Sequence, residues 1–149
     1  LRLDAGTIER VNGVSRLRFQ KLHQDPPAAF APAQPIPEGL TDLARLHGRS
    51  WAEVEKLLGR LHLPAKLLDR LPAQISGGEL QRFAILRALL LDPVFLFADE
   101  ATSRLDPVSQ KDVMDLLKEI VAETGLAVLM VTHDEMLAEK VSSKVIRFE

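Results

Sequence analysis

The sequence predicts an α/β fold in which a parallel sheet is flanked by helices, and three observations lead to this class. Two apolar runs, "VFLFAD" at 94–99 and "LAVLMV" at 126–131, have the length and composition of strands that are covered on both faces. A helical pattern lies between them, and a short helix followed by the apolar "KVIRF" at 144–148 comes after them. Because strands that alternate with helices pair in parallel through crossover connections, this order predicts a parallel sheet.

The composition fits one globular domain and argues against several classes of protein. The 149 residues are 46% hydrophobic, carry 19 Lys and Arg against 21 Asp and Glu, and contain no cysteine. The net charge of −2 offers no general attraction for nucleic acid, and the lack of cysteine excludes disulfides and thiolate metal sites. No apolar run approaches the roughly 18 to 20 residues of a membrane span, and "LRLDAG" does not resemble a signal peptide. We therefore expect a soluble, cytoplasmic protein.

Residues 1–37 are predicted to be mostly irregular. Short strands and turns are expected over 1–25, with "RLRFQKL" at 16–22 as one strand. From Pro26 to Pro37 five of twelve residues are proline, which lacks a backbone N–H and fixes φ. This composition predicts an extended surface loop and excludes a helix there.

Helical spacing follows over residues 40–71. One helix, in "GLTDLARLHG", ends at Gly48, and a second begins with Ser50 as N-cap and Glu53 as its capping-box partner. The apolar residues of the second helix then fall on one face, and two histidines together with Trp51 are assigned to packing or the surface. These are Trp51, Val54, Leu57, Leu58 and Leu61 on the face, and His47, Trp51 and His62 as packing or surface residues.

The stretch "ISGGELQR" at 75–82 opens another helix. Its continuation, "FAILRALLLD", is apolar nearly all round until Asp92-Pro93, so we expect this helix to be buried. A serine and two glycines allow a ligand to approach the backbone at the helix start. Free N–H groups and a partial positive charge at that end favour an anion.

The helix between the two apolar strands has clear signals at both ends. Asp106 and Pro107 fit the N-cap and the first helical position, and Gly125 fits the C-terminal stop. An apolar stripe at helical spacing lies between them. It consists of Val113, Leu116, Leu117 and Ile120.

Polar clusters follow the two apolar strands, at the edge where open parallel sheets bind ligands. Asp99 and Glu100 follow the first strand, and Thr132, His133 and Asp134 follow the second. Each cluster alone is explained by helix capping and a loop histidine, whereas both together favour a site. Asp99 suits Mg²⁺ held through waters, Glu100 suits a group that orients or deprotonates water, and His133 suits a hydrogen-bond donor to developing negative charge. Phosphoryl transfer uses this combination.

These stretches resemble the motif series of ABC-type ATPases. "ISGGELQR" resembles the signature motif, "VFLFADE" the Walker B strand that ends in the catalytic glutamate, "SRLD" at 103–106 the D-loop, and "VTHD" at 131–134 the H-loop. Gln24 in "HQDP" matches the Q-loop, and "QDP" followed by a loop and helices is similar to importers of the peptide and nickel group. All of them appear in the order and spacing of the family. The resemblance covers about residues 18–149, and "LDAGTIERVNG" is similar to the segment after the family's first helix.

The resemblance implies a P-loop NTPase-like fold and a division of the chain. Residues 1–25 and 72–149 would form the core portion, and residues 26–71 the Pro-rich loop and a small helical subdomain before the signature motif. It also implies ATP and Mg²⁺ as cofactors, a second ABC ATPase domain as a head-to-tail partner, and membrane permease subunits gripped by residues 26–71. Such a protein would lie on the inner face of the cell membrane and couple ATP hydrolysis to solute uptake.

The resemblance assigns roles residue by residue, as follows: Glu100, His133 and Gln24 are catalytic; Asp99, through water, and Gln24 hold Mg²⁺; Ser76, Gly77, Gly78 and Glu79 contact the nucleotide of the partner domain; and Asp106 contacts the partner from the D-loop. Two departures from the family stand out. Glu79 replaces the more common glutamine, and Arg104 replaces a usual small residue of the D-loop.

One family motif is absent from the sequence. No two of the eight glycines are five positions apart, so the Walker A loop G-x-x-x-x-G-K-[ST] does not occur, and no tyrosine is present to stack on adenine. We expect the chain to be the C-terminal portion of an ATPase domain, to lack the N-terminal part of the fold, and to be inactive alone. Open apolar sheet edges would then favour self-association.

Two alternatives remain open. The first is a soluble ABC-type ATPase of DNA repair or chromosome maintenance, although such proteins carry coiled-coil or zinc-bearing insertions where only about fifty residues intervene here. The second is a non-catalytic remnant or binding module that offers its signature face to an intact partner. With a net charge of −2, no nucleic-acid partner is expected.

Overall fold

The computed structural model describes residues 13–148, which form a three-stranded sheet with helices. The elements in chain order are β1 (Phe19–Leu22), α1 (Ile36–Leu46), α2 (Trp51–Arg60), α3 (Gly77–Leu89), β2 (Phe95–Asp99), α4 (Pro107–Thr124), β3 (Ala127–Val131) and α5 (Glu135–Val141). Short 3-10 turns lie at 16–18, 26–29, 65–67 and 72–74. The strands and turns expected before residue 13, and nearly all of "LDAGTIERVNG", lie outside the described residues.

The sheet is parallel, as predicted, and has the order β1-β2-β3. Phe19 pairs with Phe95 in β2, and Phe95 pairs with Ala127 in β3. The predicted strand at 16–22 is shorter than expected, because a 3-10 turn takes its first three residues. Because the three strands run parallel with β2 in the middle, the residues that follow each strand lie at the same edge of the sheet.

The two faces of the sheet differ in burial. Leu22, Leu96 and Ala98 on one face belong to the core, whereas Leu129 and Val131 on the other face are 50% and 44% exposed. The expectation that "LAVLMV" is covered on both faces is therefore wrong, and the odd-numbered residues of β2 are also only half-buried. An apolar run indicates that a strand favours burial, but it does not indicate which element covers the second face of the sheet.

The predicted third strand at 144–148 is wrong. These residues are irregular, and Val145, Ile146 and Phe148 are exposed, Phe148 by 94%. A strand exists only where a neighbouring strand accepts its hydrogen bonds. Nothing between residues 13 and 148 pairs with this segment.

The prolines after β1 do not exclude helical structure as expected. A 3-10 turn spans Pro26–Ala29, and α1 begins at Ile36, inside the Pro-rich stretch and before the predicted start. Pro37 fits there because the first-turn N–H groups of a helix have no acceptor within the helix, so that a missing N–H costs little. The extended loop is therefore limited to about residues 30–35.

The remaining helices follow the prediction. Ser50 and Glu53 form the capping box of α2, and Asp106 caps α4, which ends at Gly125 with φ of 68°. Helix α3 lies in the centre, where it packs against β1, α2, α4 and the turn at 26–29. Eight of its thirteen residues are buried. None of the helices between residues 13 and 148 has the length and apolar character that crossing a bilayer requires.

Candidate functional site

The ends of β2 and β3 bring Glu100 and His133 together. Glu100 follows the last residue of β2, and its N–H donates to the carbonyl of Val131 at the end of β3 over 2.9 Å. Nδ1 of His133 lies 3.3 Å from Oε1 of Glu100. Glu100 has φ of 46°, in the left-handed region that glutamate rarely adopts. A backbone held in this way at a strand end is typical of functional sites.

Gln24 joins this pair from the end of β1. Its Nε2 donates to Oε2 of Glu100 over 3.0 Å and lies 3.4 Å from Oγ of Ser103. The Ser103 hydroxyl in turn donates to the carbonyl of Glu100 over 2.9 Å. We call Gln24, Glu100, Ser103 and His133 the carboxylate cluster. Both oxygens of one carboxylate are held in it, which fixes where that carboxylate can accept a proton.

Asp99 lies next to the carboxylate cluster but has a different partner. Nζ of Lys21 is 3.0 Å from Oδ2 of Asp99 and 5.3 Å from the centre of the Phe97 ring. Asp99 and the amide oxygen of Gln24 are hard oxygen donors of the kind that Mg²⁺ prefers. Among residues 13–148 no three acidic or histidine side chains converge to hold a metal by themselves. The chemistry of these two oxygens therefore suits an ion that keeps water and phosphate oxygens in its coordination shell.

The start of α3 is a capping box. The Ser76 hydroxyl donates to Oε2 of Glu79 over 2.6 Å, and the backbone N–H of Ser76 donates to the same oxygen over 3.1 Å. The hydrogen bond from the Ser76 side chain is the main cause that lowers the pKa of Glu79. No acceptor within residues 13–148 takes the N–H groups of Gly77 and Gly78. Gly77 is exposed, so its N–H is the more accessible of these two donors.

The two glycines differ in their surroundings. A Cβ atom on Gly78 would lie 3.0 Å from both Cβ and Oγ of Ser109, so Gly78 allows α3 and α4 to approach closely. A Cβ on Gly77 would lie 3.4 Å from a methyl group of Leu105, which is an ordinary contact. Gly77 is exposed and Gly78 is buried. Close packing against Ser109 explains why position 78 is glycine, whereas the contact with Leu105 does not require glycine at position 77.

The segment between β2 and α4 is tied to the chain at two points. Oδ1 of Asp106 accepts from the N–H groups of Val108 and Ser109 over 3.1 and 3.0 Å. Arg104 forms an ion pair with Asp25, with 2.8 Å between Nη1 and Oδ1. The Asp106 carboxylate therefore caps the N-terminus of α4 within this chain. Arg104 links this segment to the one that carries Gln24.

Sequence reasoning missed three residues at or beside the site. Lys21 and Asp25 were not singled out, and Arg104 was noted only as a departure from the family. A lysine inside an apolar strand next to the strand that carries Asp99 is a signal that could have found Lys21. The Arg104–Asp25 pair joins positions that lie 79 residues apart, and nothing local in the sequence indicates it.

Comparison with known proteins gives a consistent set of relatives. A family model described as ABC transporter matches residues 4–103. The chain is 39% identical over 134 residues to the nickel import ATP-binding protein NikE of Brucella abortus, which covers 87% of this chain and 50% of that protein. It is 49% identical over 92 residues to the methionine import ATP-binding protein MetN of Cupriavidus metallidurans, which covers 62% of this chain and 26% of that protein. The chain thus spans half the length or less of these curated relatives.

Solved structures give the same answer for the fold. A bacterial ABC transporter cassette, solved as a dimer, matches with a TM-score of 0.65 and 29% identity, covering 82% of this chain and 56% of that one. The cbiO1 protein of Clostridium perfringens, part of the ABC transporter complex cbiONQ, matches with a TM-score of 0.64 and 28% identity, covering 80% of this chain and 48% of that one. These likenesses confirm the predicted α/β, P-loop NTPase-like fold class.

Proposed function

Because the chain belongs to the ABC transporter family, we propose that it is part of the ATP-binding subunit of an importer, in which ATP hydrolysis drives solute uptake. The observation that carries this proposal is the carboxylate cluster, where Gln24 and His133 hold the two oxygens of Glu100 at 3.0 and 3.3 Å. The relatives are named for import of nickel and of methionine. They support a small solute, and the "QDP" sequence favours nickel, peptide or a related solute.

Glu100 is the group that we expect to activate the attacking water. A carboxylate within hydrogen-bond reach of a water can orient it and accept its proton as the phosphoryl group leaves. Gln24 fixes one oxygen of Glu100, and no donor within residues 13–148 contacts its own amide oxygen. His133 is placed to donate to the transferred phosphoryl group. Asp99 and Gln24 would hold Mg²⁺, which when bound neutralises phosphate charge.

The start of α3 is the surface that we expect to contact ATP held on a partner domain. Ser76 offers a hydroxyl, Gly77 and Gly78 offer N–H groups at a helix N-terminus, and Glu79 holds the hydroxyl in position. Asp106 would contact the same partner. The likeness to a cassette solved as a dimer supports pairing with a second ATPase domain.

The catalytic groups and the phosphate-binding loop would come from different polypeptide segments. The 149 residues contain no G-x-x-x-x-G-K-[ST] sequence, so a phosphate-binding loop has to come from residues outside them. We expect negligible ATP hydrolysis by these 149 residues alone. We also expect contact with permease subunits through residues 26–71, which would hold the protein at the inner face of the membrane.

The test measures ATP-dependent pairing. The chain is mixed with a complete ATP-binding subunit of the family in the presence of ATP and Mg²⁺, and the mixed dimer is quantified by analytical ultracentrifugation. The expected result is a mixed dimer that forms with ATP and not with ADP. The chain supplies a matched control, because Ser50–Glu53 and Ser76–Glu79 are chemically identical capping boxes.

The paired variants separate folding from function. Ser50→Ala and Ser76→Ala should each lower the free energy of unfolding by about 1 kcal/mol, since both remove a helix cap. Only Ser76→Ala should weaken the mixed dimer. Equal dimerisation by both variants would contradict the role of Ser76. Strong, salt-dependent binding of DNA would instead favour the soluble DNA-repair class.

A further inference from the structure

We propose that Lys21 is a built-in counter-ion that competes with a divalent cation for the carboxylate of Asp99 and so lowers the affinity of this site for the metal. This inference rests on the proposed function of Asp99 as a metal-binding residue. It adds a residue outside every family motif quoted above. It also predicts a weak metal site where the motif residues alone would suggest an ordinary one.

The register of the sheet places Lys21 against Asp99. Lys21 pairs with Phe97 across β1 and β2, and Asp99 lies two residues further along β2 on the same face. A long side chain reaches such a diagonal neighbour. The Lys21 chain extends past the Phe97 ring, with Nζ 5.3 Å from its centre, and ends 3.0 Å from Oδ2 of Asp99. The aromatic face stabilises the ammonium group in this position.

The ammonium group occupies Oδ2, one of the two carboxylate oxygens through which Asp99 could bind a metal or its waters. A hard cation is bound through negative charge, and the Lys21 charge offsets that of Asp99 before any metal arrives. Glu100 is adjacent, but its oxygens are held by Gln24 and His133. No group of three or more acidic or histidine side chains converges there among the described residues to add further metal ligands.

The expected size of the effect follows from the exposure of the pair. The Lys21 and Asp99 side chains are 43% and 42% exposed, so water screens their attraction. Removal of the Lys21 charge should tighten metal binding by about 1.5- to fivefold, the range that corresponds to an exposed ion pair. A change of several orders of magnitude is not expected.

The experiment measures binding of Mn²⁺ alone, as a paramagnetic probe for Mg²⁺, to the purified protein by electron paramagnetic resonance. Lys21→Met removes the charge and keeps an apolar stem on Phe97, whereas Lys21→Arg keeps the charge and serves as the matched control. Asp99→Asn removes the carboxylate, and the double variant Lys21→Met/Asp99→Asn tests whether the two act together. Circular dichroism tests whether each variant is folded. If Lys21→Met does not fold, Lys21→Gln replaces it as the variant without the charge.

The outcomes separate this inference from the proposed function. Tighter Mn²⁺ binding by Lys21→Met, no change by Lys21→Arg, weaker binding by Asp99→Asn and no gain in the double variant are expected. Unchanged binding by Lys21→Met together with a loss in Asp99→Asn would overturn the role of Lys21 and leave Asp99 as a ligand. Unchanged binding by Asp99→Asn would overturn the metal role of Asp99, and the role of Lys21 with it.

Discussion

Nε2 of Gln24 donates a hydrogen bond to Oε2 of Glu100 over 3.0 Å, although 76 positions separate the two residues in the sequence. The other oxygen of Glu100 lies 3.3 Å from Nδ1 of His133. One carboxylate is thus held between the ends of all three strands. Its orientation depends on the sheet as a whole, so that any change in strand register would move it.

Replacement of Glu100 by glycine is expected to raise the free energy of unfolding by about 1 kcal/mol, because glycine removes the cost of a side chain in the left-handed conformation. Glutamate at φ of 46° holds a left-handed conformation that disfavours a side chain, and glycine adopts it freely. The hydrogen bonds to Gln24 and His133 are lost, but exposed polar contacts contribute little. Urea unfolding at neutral pH measures the change.

His62→Gly is the matched control for this prediction. His62 has φ of 53° and lies outside the carboxylate cluster, so a similar gain is expected. In a complete ATP-binding subunit only the change at Glu100 should abolish ATP hydrolysis. Destabilisation by Glu100→Gly alone would show that the backbone at this site stores no strain.

Gly78→Ala is expected to lower the free energy of unfolding by about 1–3 kcal/mol, as is usual for an overpacked contact. The added methyl group would lie 3.0 Å from Cβ and Oγ of Ser109 and force α3 away from α4. Gly59→Ala is the control, because no atom lies within 4 Å of its added Cβ and alanine favours a helix interior. Thermal unfolding should show opposite signs for the two variants.

Ser109→Gly tests whether the contact itself is the cause. In a double-mutant cycle it should recover part of the stability that Gly78→Ala loses, since residues in direct contact are coupled. Gly77→Ala should cost less than Gly78→Ala, because the nearest atom is a movable methyl group of Leu105 at 3.4 Å. Equal losses at Gly77 and Gly78 would contradict the packing explanation.

The Arg104–Asp25 pair is expected to contribute about 0.2–1 kcal/mol of coupling in a double-mutant cycle, as exposed ion pairs do. Its side chains are 57% and 46% exposed. The charge-reversed double variant Arg104→Asp/Asp25→Arg should recover the coupling, and added salt should reduce it. Urea unfolding at low and high salt measures both effects.

The exposed i,i+4 pair Lys111–Asp115 provides the comparison for that cycle. Both pairs should weaken with salt, but only the loss of Arg104–Asp25 should speed amide exchange over residues 103–105, which it ties to the segment after β1. If exchange there is unchanged in Arg104→Ala, then Arg104 does not hold the segment.

Asp106 is expected to make stability depend on pH in the acid range. Hydrogen bonds from the Ser109 side chain and from the N–H groups of Ser109 and Val108 lower its pKa below the ordinary 3.8. A pKa that is lower in the folded chain means that the ionised form favours folding. This contribution is complete above the unfolded pKa and is lost as the pH falls through the folded pKa.

Asp106→Asn isolates the charge, because asparagine remains a good N-cap. The variant should be less stable than the parent at neutral pH, and the difference should close as the pH falls below about 4. Asp106→Ala, which loses the cap as well, should stay less stable at every pH. Urea unfolding midpoints across the pH series measure this, and a constant gap between the parent and the asparagine variant would contradict it.

Local signals in the sequence were sufficient for the helices after α1 and for the ends of β2 and β3, but not for the start of α1 within the Pro-rich stretch. Ser50 with Glu53 and Asp106 with Pro107 are short-range patterns, and their chemistry acts within one helical turn. The polar residues after β2 and β3 were found because parallel strands bring their carboxyl ends to one edge. These features depend on a few neighbouring residues, which a sequence displays directly.

The features that were missed depend on elements distant in the sequence. Burial of Leu129 depends on what covers the second face of the sheet, and a strand at 144–148 depends on a pairing edge. The Lys21–Asp99 contact spans 78 positions and arises from strand register. A one-residue shift in register would send Lys21 to the opposite face, so no local pattern can fix the contact.

The burial of α3 gives the chain a mechanical property. Its thirteen residues form a rod about 20 Å long that is exposed at Ser76 and packed on its sides by β1, α2, α4 and the turn at 26–29. Close-packed interiors have low compressibility and transmit strain. A displacement at Ser76 is therefore expected to be transmitted along α3 to the turn at 26–29, which packs against this helix and follows Gln24 in the chain.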